Sequence, residues 1–313
     1  MERRKCRKIP LLRVMRFPTA KERRKSRNRK RRLQRKTPAP AASSSASPPP
    51  WIELPEDVTV NILQRLGAEG MLSAELVCSS WWKVCKDPAM WRVIDLCNPD
   101  PGATNLRRKY TAMCRRAVDR SQGQLVDLTM DSFGNGHLIK YVAHRSRDLK
   151  RLKLVSCIHI AGCLLVQAVE KLGQLEELHL NTSTWISAHH IEAIGNACPK
   201  LKSFSFSEDG SWCQLPPYLE NGGIDDKSDW NRYARAIGKC MPNLHHLQLC
   251  SCLMQNEGLA AILDGCPRLE SLDIRQCFGL DLEGDLGKRC REQIKDMRLT
   301  DGPGLFNFVY DYL

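Results

Sequence analysis

The side chains best equipped for chemistry in this 313-residue chain are its fifteen cysteines and eight histidines. Cys78 and Cys85 lie seven residues apart in "CSSWWKVC", which is wrong for a zinc knuckle and equally fits two positions on one helical face. His245 and His246, close to Cys250 and Cys252, form a better cluster, but strand alternation would send the two imidazoles to opposite faces. The acids of "DDKSD" (Asp225–Asp229) lack the glycine and terminal glutamate of a calcium loop. No metal site is expected.

Catalytic spacings are equally absent. The chain has no phosphate-cradling glycine loop, no His-Glu-x-x-His and no Gly-x-Ser-x-Gly elbow, and "GNG" (Gly134–Gly136) is more economically a turn. Sequence alone does not exclude a triad assembled from distant residues. The expectation is a non-enzyme without a cofactor.

The elements that hold these residues follow from charge and periodicity. Net charge is +13, yet residues 1–36 carry 18 Lys and Arg against Glu2 and Glu22, so the remainder is slightly acidic. That arm and the linker "TPAPAASSSASPPP" (Thr37–Pro50) are too poor in apolar side chains to pack, and disorder is expected over 1–50. The run "KERRKSRNRKRR" (Lys21–Arg32) reads as a solvated tail, or as a nuclear-import or nucleic-acid-binding patch. No stretch of about 18 apolar residues suggests a membrane span, and the first thirty residues lack a secretory core. Nucleus or cytoplasm is the expected location, with cysteines mostly serving as small buried hydrophobes.

After the linker, Leu54-Pro55-Glu56-Asp57 places proline and acids where a first helical turn favours them, and Val58, Ile62, Leu63 and Leu66 follow at helical spacing until Gly67. Ser73 is the expected cap of a second helix carrying Leu76 and Val77 into Trp81 and Val84, and Asp87-Pro88 opens a short third ending at Trp91. So small a unit closes only a marginal core. Its tryptophans are therefore expected to leave apolar surface for a partner.

From Leu125 the spacing apolar-x-x-apolar-x-apolar recurs at Leu125/Leu128/Met130, Leu149/Leu152/Leu154, Leu175/Leu178/Leu180, Leu201/Phe204/Phe206, Leu244/Leu247/Leu249, Leu269/Leu272/Ile274 and Ile294/Met297/Leu299. Such a period marks leucine-rich repeats, whose strand-and-helix units bury their apolar faces only by stacking. Cys-Pro before a strand, as in Cys198-Pro199 and Cys266-Pro267, ends each helix, and the repeats resemble the cysteine-containing subclass of this repeat family. One interval is long because of an insertion at 207–229. Insertions of this kind map to loops and often to a binding face.

The order of motifs resembles the F-box/leucine-rich-repeat family, particularly its plant members: Leu54-Pro55-Glu56-Asp57, Ile62-Leu63, Leu66, Val77-Cys78-Ser-Ser-Trp81, Asp87-Pro88 and Trp91, then the repeats. The expected architecture is an α/β solenoid: a short all-α F-box at 51–97, a helical connector at 98–124, and about seven repeats over 125–313 in a curved array. The resemblance implies a substrate receptor of an SCF-type ubiquitin ligase. Leu54, Pro55, Ile62, Leu63, Leu66, Val77, Cys78 and Trp81 would be its adaptor-contacting or motif-core residues, docking on a Skp adaptor and through it a cullin ligase. At Ser79 and Trp82 the chain departs from the family, which often carries basic residues there. The repeats would hold a protein substrate on the concave face through the residues between the apolar positions, among them Arg151, Lys153, Glu177, His179, His246, Gln248 and Asp273, with Trp212 and Tyr218 of the insertion. Their mixed charge argues against nucleic acid as the ligand of the repeats. The alternative is a nuclear, nucleic-acid-associated scaffold acting through the arm.

Overall fold

The computed structural model describes residues 51–299 apart from 52, 158, 182–185, 208–229, 251 and 276. The arm, most of the insertion, Trp212 and Tyr218 lie outside the described residues.

Three short helices come first: α1 (Glu56–Arg65), α2 (Gly67–Ala74) and α3 (Ser79–Val84). Pro55 stands just before α1, with Glu56 and Asp57 in the first turn, where the helix dipole favours negative charge. Gly67 has φ +66°, a left-handed conformation open to glycine, and this breaks α1 from α2. Ser73 does not cap the second helix as expected. It lies within α2 and returns its hydroxyl to the Glu69 carbonyl, so Leu76 and Val77 fall in the turn that follows. Asp87 accepts from the Ala89 N–H at 2.9 Å and opens a 3₁₀ turn, Pro88–Trp91. Trp91 is fully buried and donates its indole N–H to the Cys85 carbonyl at 2.8 Å.

A parallel sheet and its return helices follow. The strands are β1 (Val93–Cys97), β2 (Asp127–Asp131), β3 (Arg151–Val155), β4 (Glu177–Asn181), β5 (Ser203–Ser207), β6 (His246–Cys250), β7 (Cys252–Leu253), β8 (Ser271–Asp273), β9 (Cys277–Phe278) and β10 (Asp296–Arg298). The helices are α4 (Thr104–Ser121), α5 (Gly136–Arg145), α6 (Gly162–Val169), α7 (Ala188–Ala197), α8 (Trp230–Cys240), α9 (Asn256–Gly265) and α10 (Asp285–Gln293). Eight strands form one sheet in the order β1-β2-β3-β4-β5-β6-β8-β10, and β7 pairs with β9 in a small second sheet. Chain order equals spatial order, as stacking of repeats requires.

The sheet begins one strand before Leu125. Trp91, Ile94 and Leu96 already carry the repeat spacing; Ile94 pairs with Leu128 and Leu96 with Met130. Helix α4, expected as a connector, packs beside α5 as the return of this first coil.

Along strands β1 to β6 the residues at the two apolar positions point into one core, from Ile94 and Leu96 through Phe204 and Phe206 to Leu247 and Leu249, whereas at the last repeat Met297 is half-buried and Leu299 is exposed. The alternate residues face away from the helices. Buried thiols fill the coil ends: Cys157 donates to the Met130 carbonyl at 3.4 Å and Cys266 to the Met241 carbonyl at 3.4 Å, each reaching the preceding coil. Cys277 departs from the expectation of free thiols and is disulfide-bonded.

The insertion leaves this stack undisturbed. Ser203 pairs with His246 and Phe204 with Leu247 in the same register as the neighbouring strands. On its far side Trp230 and Tyr233 restart the helix against Phe206, with ring centroids 5.4 and 5.7 Å away. These aromatics close the core where the long connection enters.

Candidate functional site: an exposed apolar helical module and a polar sheet face

On α1, Thr59 and Leu63 point inward, whereas Val58, Ile62 and Leu66, spaced by four, are exposed. The turn after α2 exposes Leu76 and Val77 at 70% and 57%, and Trp82 is 45% exposed with the Lys86 ammonium 3.8 Å from its ring centroid. An isolated exposed leucine needs no explanation, but six large apolar side chains on one small helical module do.

The residues expected to meet an adaptor divide by burial. Ile62, Leu66 and Val77 are exposed, Pro55 is exposed beside α1, and Leu54, Cys78 and Trp81 are half-buried. Leu63 falls on the motif-core side of the expectation. It has no exposed surface and belongs to the core, so it supports the module rather than touching a partner. Trp81 packs against that core with its indole N–H buried and without a hydrogen-bond partner. Sequence reasoning listed Val58 and Leu76 among the apolar residues of the module without naming them as adaptor contacts, and counted Trp82 with the tryptophans that leave apolar surface for a partner. Leu76 is exposed because the turn interrupts the helix that would have carried it inward.

Facing away from the helices, the sheet presents two rows. Arg151, Glu177, Ser203, His246, Ser271 and Asp296 pair laterally in one; Lys153, His179, Ser205, Gln248, Asp273 and Arg298 form the other. The structure therefore brings together Arg151, Lys153, Glu177, His179, His246, Gln248 and Asp273. Missed by the sequence reading were Asp95, because β1 was not recognised as a strand of the sheet, and Asp127, which lies on the recognised strand β2 between Leu125 and Leu128 but was not carried into the outward row. The signal for β1 was Trp91-x-x-Ile94-x-Leu96.

Electrostatics differ along this face. Arg151 donates to Asp127 at 2.8 Å. Burial pushes the Asp95 carboxyl up, and Lys153 only partly opposes this. Burial, helped by the nearby Lys153 charge, pushes His179 down, so its imidazole is neutral at pH 7. Asp273 stands in the outward row and lines the face, but at 7% exposure it is nearly covered. Burial alone would raise its carboxyl, but two guanidinium bonds from Arg275 at 2.9 and 2.7 Å and the Arg275 backbone N–H hold it below the usual range. Gln248 donates to it at 3.3 Å and accepts from Ser205 at 3.1 Å, completing a fixed polar floor.

Over this floor lies a shallow cavity of about 150 Å³ lined by His179, Ser203, Ser205, His246 and Arg298 among others. Small-molecule sites usually enclose about 300–1,000 Å³, so this hollow suits a single side chain of a macromolecule. Among the described residues no group of three His, Cys, Asp or Glu is arranged to hold a metal ion.

An apolar helical module followed by a leucine-rich-repeat-type solenoid is the arrangement the structure defines, and comparisons with known proteins give its family. Residues 51–97 match the F-box-like family, and residues 227–283 match the family described as FBD-associated F-box protein At5g56370, LRR repeats. Putative F-box/LRR-repeat protein 23 of Arabidopsis thaliana is 44% identical over 250 residues, covering 79% of this chain and 53% of that protein. The chain thus spans about half of this relative. F-box protein SKIP19 of the same plant is 43% identical over 249 residues, 79% of this chain and 76% of its own length. Putative F-box/LRR-repeat protein 22 is 43% identical over 259 residues, 80% and 77% respectively. The chain belongs to the F-box/leucine-rich-repeat family.

Proposed function

We propose that this protein is a substrate receptor of an SCF-type ubiquitin ligase, itself without catalysis. Helices α1–α3 dock on a Skp-type adaptor, and the helix-free face of the sheet holds a protein substrate. Family membership supports the first half, since F-box proteins generally serve as SCF substrate adaptors. The single observation that carries it is the exposure of Val58, Ile62, Leu66, Leu76, Val77 and Trp82 above a core that is already closed by Leu63 and Trp91. Apolar surface left over after folding is the surface a second polypeptide removes from water.

In this role the protein does no bond chemistry. It raises the effective concentration of a substrate lysine near a charged ubiquitin carrier, replacing a bimolecular encounter by a near-intramolecular one. Co-purification with a plant Skp-type adaptor tests it. Ile62→Glu with Val77→Glu should abolish the complex while circular dichroism and the melting temperature stay unchanged; adaptor binding that survives both substitutions sinks the proposal. The run Lys21–Arg32 would act as a nuclear-import segment, and a fluorescent fusion whose distribution is the same with and without those residues refutes that part.

A further inference from the structure

A third surface belongs to neither the adaptor module nor the sheet face. Helices α4, α5 and α6 carry eight Lys or Arg against one acid, Asp119. The next three helices carry three of each sign. In that second half cations meet acids between helices: Lys239 with Glu192 at 3.7 Å, Arg235 with Glu257 at 3.8 Å and Arg289 of α10 with Asp264 at 2.7 Å.

In the first half this pairing between helices is reduced to one, Asp119 of α4 with Arg145 of α5. Glu69 and Glu75 occupy Lys109, Arg116 and Arg120, and Asp119 occupies Arg145 at 3.1 Å. Arg108, Arg115, Lys140 and Lys171 meet no acid among the described residues, although Glu170 and Asp148 stand in the adjoining turns. They form a contiguous patch. Arg108 and Arg115 lie two turns apart on one face of α4. The Arg115 guanidinium is 4.6 Å from the centre of the Tyr141 ring on α5, with Arg145 5.2 Å from the same ring. Lys140 crosses from α5 to Gln167 of α6 at 3.1 Å, and Lys171 reaches His144 at 2.7 Å.

We infer that this outer face of α4–α6 binds an acidic segment of a partner protein. Gathering unneutralised cations on packed helices costs self-repulsion that a complementary anion relieves. Adjacent helix axes lie about 8–10 Å apart, so the patch spans roughly 20 Å, the length of about six extended residues. Arginine forks favour carboxylate as well as phosphate. Two features favour a protein: Asp119 sits inside the patch, and the unpaired cations are fewer than the roughly 6–10 phosphate contacts of a strong nucleic-acid site.

The test uses the full chain and a twelve-residue glutamate-rich peptide bearing a photo-crosslinker, with attachment sites mapped by mass spectrometry. Mapping is needed because the basic arm attracts any polyanion. Attachment within 104–145 and 162–171 is expected, reduced at least fivefold by Arg115→Glu with Lys140→Glu and unaffected by Arg235→Glu. Arg115→Gln with Lys140→Gln, which adds no repulsive charge to the fold, should reduce it in the same direction. The inference is overturned if attachment is confined to residues 1–36, if the substitutions leave it unchanged, or if a 20-base-pair DNA carrying the same crosslinker attaches to these helices more strongly than the peptide.

Discussion

The Glu75 carboxylate, buried at the end of α2, accepts a bond from the Arg120 guanidinium of α4 at 2.7 Å and is held on its other oxygen by Arg116. Glu69, six residues earlier, accepts from Lys109 at 3.2 Å and from the Tyr110 hydroxyl at 3.0 Å. The helical module is thereby tied to the first coil of the solenoid by two carboxylates. In a receptor that works by holding two partners at a set distance, such a joint fixes the reach.

Removing the two sides of this joint should cost unequal amounts. Arg116→Met with Arg120→Met leaves Glu75 buried without a partner and should destabilise by about 3–5 kcal/mol. Glu75→Gln leaves arginines that can turn to water and should cost about 1–3 kcal/mol. Chemical denaturation measures both, and equal losses would mean that Glu75 is not effectively buried.

Leu63 and Leu66 are near neighbours in sequence with opposite surroundings. Leu63→Ala should cost about 2–5 kcal/mol by opening a cavity. Leu66→Ala should stay within about 0.5 kcal/mol, because it alters only exposed surface. Thermal melts of the two variants separate core from docking surface; a large loss at Leu66 would place it in the core after all.

Two helix contacts depend on bare glycine backbones. A Cβ on Gly238 of α8 would stand 2.2 Å from the Ala261 carbonyl oxygen of α9, and one on Gly265 would stand 2.0 Å from that of Gly238. Either Gly→Ala change forces backbone apart and should cost about 1–3 kcal/mol, despite alanine's better helix propensity. Urea midpoints lower than wild type are the expected readout.

Burial pushes the thiols of Cys198 and Cys266 up to about 12 from an ordinary 9.0. The folded values exceed the unfolded ones, so the stability they contribute is complete below pH 9 and is lost as pH rises from there toward 12. Melting temperature should fall across that window, and Cys198→Ala with Cys266→Ala should lower the plateau while flattening the fall. An unchanged slope in the double variant would assign the alkaline loss to other groups.

Much of this was legible in residue spacing. The period of Leu149/Leu152/Leu154 and its successors already named strand, buried pair and outward residues, because a repeat that must stack has one way to hide its apolar side chains. It also placed Arg151, Glu177 and His246 in one row. Side-chain alternation in a strand is local, and local rules survive folding.

What only the tertiary structure decided is who covers whom. Ile62 and Leu63 are adjacent and alike in sequence, and only the packing of the module and its neighbouring coil makes one surface and the other core. The same holds for Asp273, whose alternation promised an exposed acid until Arg275 folded over it. Charge shows the difference most plainly. Beyond the arm the chain sums to nearly neutral, yet Arg108 and Arg115 of α4 and Lys140 of α5 stand apart from acids that lie elsewhere in the fold. Composition adds charges irrespective of position, whereas Coulomb attraction depends on separation, and separation is set by the fold.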